Sequence, residues 1–344
     1  MIHEHLDCSP RPDTMLELWE DIGFSRAKIA FPAHVLETWE RARHEPEPNR
    51  QRLRRQAAKE YRQFLAGFAS QSLANYVNAI GDHILPLMQS PANLERISRE
   101  RVEDAVKDGI IGMELRFAPQ LHTMTGLSLQ EVMDAVIQGV RRSPFPIKLV
   151  VCALRHENGD MARRLADLSL QYQTFVGVFD LAADEEANPG ILDWWLQEAL
   201  RVRRESNNRI LLTVHLAETR KPTERDRELV RRFGIGRIGH GIKGDWEQVY
   251  EVCPTSNIVT GQVRAYDEHP IDRFYREGKK VTVNTDGTLF TGVQLTDEYI
   301  KLSKTFGWKA DDFHKVNMTA LEASSFSEAQ KARMRAKLER EYGH

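Results

Sequence analysis

Long apolar runs are missing from this 344-residue chain, and so is an excess of charge of either sign. No stretch approaches the roughly 20 apolar residues that a membrane helix needs, and the segment Met1-Ile2-His3-Glu4-His5 lacks the features of a secretion signal. The formal net charge of -2 gives no electrostatic reason to expect nucleic acid or a membrane as partner. We therefore expect a cytoplasmic protein that acts on a small-molecule substrate, and its oligomeric state stays unknown.

Cysteine is also scarce, and no Gly-x-Gly-x-x-Gly motif follows an apolar run. The three cysteines, Cys8, Cys152 and Cys253, are widely spaced and odd in number, which excludes a disulfide framework and fits a reducing compartment. The missing glycine motif argues against a dinucleotide-binding sheet.

Short runs rich in Val, Ile, Leu and Phe recur after the first hundred residues, separated by segments with helical periodicity such as Leu129 to Val140. This alternation predicts parallel βαβ units. The seven predicted strands are Ile110 to Phe117, Ile147 to Leu154, Phe175 to Leu181, Ile210 to His215, Arg237 to His240, Val249 to Cys253 and Lys280 to Asp286. With His3-Glu4-His5 as an eighth strand end, the sequence predicts an α/β fold, a single (β/α)₈ TIM-type barrel domain over residues 1–344. An open doubly wound sheet is the alternative.

Residues from about 10 to 105 contain no convincing strand, but Leu53 to Phe68 carry a helical apolar stripe. We expect a helical insertion after strand 1 that covers the mouth of the barrel, with a separate helical subdomain as the alternative. Near the other end, Ser327 and Gln330 form a capping box that opens a final helix through Tyr342.

Polar side chains close several predicted strands. His3 and His5 are two residues apart, so on a strand both point to the same face. His215 and Asp286 each end an apolar run. Alone, each has an ordinary explanation: a surface pair or tag remnant, a structural histidine, a turn or helix cap. Together, three imidazoles and a carboxylate predict a site for one metal ion per chain, most naturally Zn²⁺, with one position open for water.

Glu218 and His240 are the further candidate catalytic residues, alongside Asp286. Glu218 lies three residues past His215, and apolar walls would favour its neutral form, which suits a general acid. His240 stands between two glycines that allow close approach, and it could orient a metal-bound water or take its proton. A solvated loop glutamate and a turn histidine are the open alternatives.

These motifs, taken with three others in order along the chain, resemble the adenosine and adenine deaminases of the amidohydrolase superfamily. The resemblance rests on His3-Glu4-His5-Leu6-Asp7, Met113-Glu114-Leu115-Arg116-Phe117-Ala118-Pro119, Asp180-Leu181-Ala182-Ala183-Asp184-Glu185, His215 to Glu218, Arg237-Ile238-Gly239-His240-Gly241, Cys253-Pro254-Thr255-Ser256-Asn257 and Asn284-Thr285-Asp286.

The resemblance implies a zinc-dependent deaminase that releases ammonia from an amino-substituted purine nucleoside, purine base or related heterocycle. It implies that His3, His5, His215 and Asp286 hold the zinc ion. Glu218 would protonate the ring nitrogen beside the attacked carbon, and His240 would position the attacking water. By the same match, Asp7 would meet a sugar hydroxyl and the backbone N–H of Ala183 a ring nitrogen. An amidohydrolase of amides or esters and a non-catalytic ligand-binding relative are the alternatives.

Three positions near the expected substrate depart from the family pattern. Cys8 and Ala183 stand where the family usually has glycine, and Gly287 replaces a second aspartate whose carboxyl hydrogen-bonds the five-membered ring of the purine. A site built around such a bond discriminates strongly when the bond is missing. We therefore expect the catalytic groups to be kept and the substrate to differ from plain adenosine.

The start of the sequence is a fourth departure, because only Met1 and Ile2 precede His3. Either the true N-terminus is longer or the first strand is short. A frayed first strand would loosen two of the four expected ligands.

Overall fold

Eight parallel strands form the centre of the protein in this computed structural model, which describes residues 1–186 and 188–343. Each strand pairs in parallel with the next strand along the chain. The strands are β1 (Glu4–His5), β2 (Met113–Phe117), β3 (Ile147–Leu154), β4 (Val176–Ala182), β5 (Leu211–Leu216), β6 (Arg237–His240), β7 (Val249–Val252) and β8 (Val281–Val283).

The sheet closes on itself through backbone contacts between its two ends. Glu4 bridges Asp286 in parallel, the N–H of His5 donates to the Asp286 carbonyl at 2.6 Å, and the N–H of Asp286 donates to the His3 carbonyl at 3.2 Å. The prediction of a (β/α)₈ TIM-type barrel is confirmed. The alternative of an open doubly wound sheet is wrong, because such a sheet reverses its strand order at a switch point, whereas here the order runs unbroken.

Fifteen α-helices are assigned within the described residues, five of them between β1 and β2. These five are α1 (Pro12–Ile22), α2 (Ala33–Arg43), α3 (Asn49–Ala69), α4 (Leu73–Ala79) and α5 (Pro91–Lys107), with a π turn at Ile80–Ile84. The others are α6 (Leu129–Val140), α7 (Gly159–Gln171), α8 (Asp193–Glu205), α9 (Glu224–Arg232), α10 (Pro254–Val259), α11 (Ile271–Arg276), α12 (Thr288–Thr291), α13 (Leu295–Phe306), α14 (Ala310–Ala323) and α15 (Glu328–Tyr342). The predicted capping box of Ser327 and Gln330 opens α15.

The first strand is short but anchored. The backbone N–H groups of Ile2 and His3 both donate to the side-chain Oδ1 of Asn284, at 3.0 and 3.1 Å. The outward-facing Glu4 is buried, forms an ion pair with Arg101 of α5 and accepts a hydrogen bond from Thr285 at 2.9 Å. The segment that carries two of the candidate ligands is therefore tied to both neighbouring strands and to a helix.

Three predicted strands are shorter in the structure, and one of them, the run from Val249, simply ends one residue early at Val252. The run from Ile110 becomes β-structure only at Met113, because Gly109 in a left-handed conformation, φ 75°, follows the end of α5. At the other end, β8 stops at Val283, so Asp286 lies past the strand with φ 63°. In the described part of the chain, no helix has both the length and the apolar character required to cross a bilayer.

Candidate active site

The four predicted ligands converge at the carboxyl ends of the strands. Nε2 of His5 lies 3.2 Å from Nε2 of His215. Oδ1 of Asp286 lies 3.6 Å from Nε2 of His3 and 3.5 Å from Nε2 of His5. The three imidazoles offer ligand atoms within 4.8 Å of one another.

This arrangement fits one metal ion. Tetrahedral ligands about 2.1 Å from a zinc ion lie roughly 3.4 Å from one another, close to the separations observed here. Nε2 of His3 is buried and, within the described residues, makes no hydrogen bond. A buried nitrogen without a partner is costly, and a metal ion would satisfy it.

Buried carboxylates hold the outer nitrogens of two of these imidazoles. Nδ1 of His3 lies 2.8 Å from Oε2 of Glu251, and Nδ1 of His215 lies 3.0 Å from Oδ2 of Asp180. A carboxylate on Nδ1 leaves Nε2 free of its proton and turned toward a metal. Oδ2 of Asp286 accepts a hydrogen bond from Ser256 at 2.5 Å.

Two arginines pair with these carboxylates inside the barrel. Arg116 contacts Asp180 at 2.9 Å and Glu251 at 2.6 Å, while Arg237 contacts Glu251 and Glu114, both at 2.6 Å. Burial alone would raise the pKa of Glu251, but Arg237, Arg116 and His3 outweigh it and hold that pKa well below its usual range. The network therefore keeps the supporting carboxylates ionised.

The ligand groups themselves are held in metal-binding forms. Burial lowers the pKa of His5 well below its ordinary value, which favours the neutral imidazole. Burial opposes ionisation of Asp286, but the nearby imidazoles of His3, His5 and His240 bring its pKa well below the usual range. Neutral imidazole and ionised carboxylate are the forms that bind a metal.

Glu218 is buried beside this centre. Burial raises its pKa well above the ordinary value, and the neighbouring Asp286 and Glu185 raise it further. Glu185 also fixes the loop after β5: its carboxylate accepts the backbone N–H groups of Ala217 and Glu218 at 2.8 Å and of Thr219 at 3.1 Å. The raised pKa favours the protonated form of the Glu218 carboxyl, and Glu185 holds the backbone of its loop in place.

A hydrogen-bond chain determines which nitrogen of His240 carries a proton. Ile271 N–H donates to Nδ1 of His269 at 3.1 Å, so the His269 proton sits on Nε2 and is donated to Oδ1 of Asn257 at 3.2 Å. The Asn257 amide then donates to Nδ1 of His240 at 3.1 Å. His240 is left with its proton on Nε2, 3.6 Å from Oε2 of Glu218.

A second group of possible metal ligands, His3, His240 and Cys253, shares His3 with the first. Burial raises the pKa of the Cys253 thiol well above its usual value, whereas a thiol must ionise to bind a metal. Because the Cys253 thiol resists ionisation, the group that includes His5, His215 and Asp286 is the better metal site.

A cavity of about 190 Å³ opens above these residues. Of the predicted substrate-contacting residues, Asp7 and Ala183 line it, and Ala183 has a left-handed backbone with φ 80°. The carboxylate of Asp7 accepts the backbone N–H of Ala118 at 3.0 Å and lies 2.9 Å from Nε2 of His122.

Gly287 has no room for a side chain. A Cβ placed there would lie 2.5 Å from Cβ of Cys8 and would collide with the hydroxyl of Tyr76, which is buried. The departures at Cys8 and Gly287 are thus linked, because Cys8 and Tyr76 fill the volume that a side chain at position 287 would occupy.

The family model described as adenosine deaminase matches residues 1–341. An adenosine deaminase from Clostridium perfringens is 33% identical over 285 residues, which cover 77% of this chain and 82% of that protein. The chain belongs to the adenosine deaminase family. The predicted reaction class, hydrolytic deamination at a C–N bond, is confirmed with the family, and so is the prediction of an enzyme.

Three solved structures share the fold with this member of the family. An adenine deaminase from Arthrobacter aurescens has a TM-score of 0.77 at 19% identity and covers 100% of this chain and 98% of its own. An Arabidopsis N6-mAMP deaminase has a TM-score of 0.78 at 22% identity, covering 98% and 96%. An amidohydrolase from Burkholderia ambifaria with bound Zn has a TM-score of 0.75 at 18% identity, covering 99% and 89%.

Sequence reasoning missed the residues that support this family's site. No role was predicted for Glu251, Asp180, Glu185, Asn257 or Tyr76. A signal existed for the first two, because an acidic residue inside a predicted buried strand must be paired with something. Asn257, which orients His240 from α10, and Tyr76, which reaches position 287 from α4, are brought to the site by tertiary contacts that no local pattern encodes.

Proposed function

We propose that this protein is a zinc-dependent aminohydrolase that releases ammonia from an amino-substituted purine nucleoside, purine base or related heterocycle. The observation that carries the proposal is the buried Glu218, whose pKa is raised well above its ordinary value, beside a four-donor metal centre. Family membership and the zinc-containing structural neighbour support the choice of metal.

His3, His5, His215 and Asp286 would hold one zinc ion per chain. When bound, the ion would supply a nucleophilic water at neutral pH by lowering the pKa of water from ~15.7 toward ~7. The remaining steps belong to the side chains around it.

Glu218 donates its proton to the ring nitrogen next to the carbon that bears the amino group. This makes the carbon electrophilic enough for water to add. One proton of the water then passes to the amino group, which leaves as ammonia when the C–N bond breaks, and the other returns to Glu218, so that a carbonyl remains. His240 orients the water and does not act as its base, because its proton is on Nε2 and Asn257 already donates to Nδ1. The ionised Asp286 accepts a hydrogen bond from the water, and Ala183 offers its backbone N–H to the heterocycle.

The substitution Glu218→Gln tests the proposal. It keeps size and polarity but removes the transferable proton, so we expect the rate of ammonia release to fall by about 10²- to 10⁴-fold with zinc content unchanged. Glu186→Gln, an exposed glutamate in the neighbouring loop, is the matched control and should retain activity.

The assay is ammonia release from a panel of aminopurines and pteridines, with zinc measured in parallel. Because the pKa of Glu218 is raised, wild-type activity should persist at neutral pH and fall only when the pH passes that raised value. If the enzyme cleaves an amide or ester and Glu218→Gln slows that cleavage only slightly, the protein is better described as an amidohydrolase of those bonds. Zinc binding without turnover of any compound would favour a ligand-binding relative.

We also propose a cytoplasmic location, supported by three buried cysteines that are all free. The near-neutral formal charge supports a small molecule as partner in preference to nucleic acid or a membrane.

A further inference from the structure

The outer wall of the cavity is built from aliphatic side chains. The helical segment between β1 and β2 supplies one side, and the loop after β2 and the end of β3 supply the other. The residues are Leu73, Val77, Ile80, Leu85, Leu121 and Leu154. Apolar walls of this kind stabilise an apolar ligand group by removing it from water.

Cationic side chains are missing from the same wall. Among the described residues, no lysine or arginine lines the cavity, and the exposed His156 is the one basic side chain that lines it outside the metal and catalytic group. A phosphate group would lose its hydration without gaining a fixed positive partner, which is unfavourable.

A sugar ring would also gain few hydrogen bonds in this cavity. Among the polar side chains that line the cavity, Asp7 already accepts a hydrogen bond from Ala118, and its other oxygen lies 2.9 Å from Nε2 of His122. A sugar hydroxyl would have to compete with these contacts. The volume of about 190 Å³ is also below the range of about 300 to 1,000 Å³ typical of pockets for drug-sized ligands.

We infer that the preferred substrate is an unphosphorylated amino-heterocycle whose substituent is short and apolar. This inference rests on the proposed function and narrows its substrate class. The amino group faces the metal centre, and the substituent packs between the leucines of the outer wall. A nucleoside is a poorer substrate, and a nucleotide is the poorest.

The experiment compares adenine, 9-propyladenine, adenosine and adenosine 5′-monophosphate as substrates of the metal-loaded enzyme. Burying three carbon atoms should give 9-propyladenine a kcat/KM at least about tenfold above that of adenine. Adenosine 5′-monophosphate should fall at least about a hundredfold below 9-propyladenine. A specificity constant for the nucleotide equal to that of the alkyl compound would overturn the inference.

A charge placed on the wall should shift this preference. Val77 lines the cavity but is 39% exposed, so Val77→Lys adds a cation at the rim without burying it. We expect the ratio of kcat/KM for the nucleotide over the alkyl compound to rise at least about tenfold. Asn78→Lys, on the same helix but exposed and outside the cavity lining, is the matched control and should leave the ratio unchanged.

Binding of unreactive products separates this inference from the proposed function. Calorimetry with 9-propylhypoxanthine and inosine 5′-monophosphate needs no turnover. Tighter binding of the alkyl compound, with no ammonia released from any substrate, would uphold the ligand class and refute the deaminase. Equal or tighter binding of the nucleotide would refute the ligand class, whatever the activity.

Discussion

The two ends of the cavity are built from different parts of the chain. The metal end consists of side chains at or just after strands β1, β5, β6 and β8, supported by buried ion pairs inside the barrel. The outer end consists largely of aliphatic side chains from α4, the π turn, the loop after β2 and the end of β3. The strands therefore position the catalytic and metal-binding groups, while loops and the inserted helices determine which ligand fits the cavity, as is common in barrel enzymes.

The departures from the family pattern follow this division. Cys8 and Ala183 line the cavity, and Gly287 lies against Cys8 and Tyr76. None of them is one of the four metal-ligand candidates. Reaction and substrate can thus change separately, and substitutions at either end should affect one without the other.

Removing one metal-binding side chain should abolish zinc binding and catalysis without changing the outer end of the cavity. His215→Ala takes away one donor of four, so the protein should lose its zinc and show no measurable ammonia release, a larger effect than that of Glu218→Gln. Metal content by mass spectrometry and thermal unfolding check the prediction. Retained zinc with normal activity would show that the ion is held elsewhere.

Moving the proton of His240 from Nε2 to Nδ1 should slow catalysis without loss of the metal. In Asn257→Asp, the carboxylate can only accept, so it draws the imidazole proton to Nδ1 and leaves Nε2 without one. We expect kcat to fall at least about a hundredfold while zinc content and KM change little. Unchanged kcat would mean that the hydrogen-bond chain from His269 does not set the tautomer.

Weakening a supporting carboxylate should have an intermediate effect. Glu251→Gln leaves a neutral amide beside His3 and removes one of the two carboxylate partners of both Arg116 and Arg237, so zinc affinity should fall by about 10- to 100-fold. Competition with a chelator measures this affinity. Glu268→Gln, which alters an exposed glutamate away from the barrel interior, is the control and should not change it.

Adding a side chain at position 287 should cost stability more than chemistry. Gly287→Ala places a Cβ 2.5 Å from Cβ of Cys8, and overpacking of this kind costs about 1 to 3 kcal/mol of unfolding free energy. Denaturant unfolding measures the loss, and Cys8→Gly in the same chain should recover part of it. Gly67→Ala, on the exposed face of α3 with open space around it, should not destabilise. Equal effects at the two glycines would refute the steric link.

Periodicity and strand-end chemistry predicted the barrel and the four converging donors because both are local properties of the sequence. His3 and His5 share a face by their spacing, and His215 closes a visible apolar run. The position of Tyr76 against Gly287 could not be predicted in this way, since it depends on how the inserted helices pack on the barrel. Nor could the Asn257 and His269 pair, whose effect on His240 requires three directed hydrogen bonds.

Anomalous diffraction from crystals of the zinc-loaded protein tests the central claim most directly. We expect one peak per chain, about 2.0 to 2.2 Å from Nε2 of His3, His5 and His215 and from Oδ1 of Asp286. A peak bound by His240 and Cys253, or no peak near these histidines in a fully active enzyme, would contradict it.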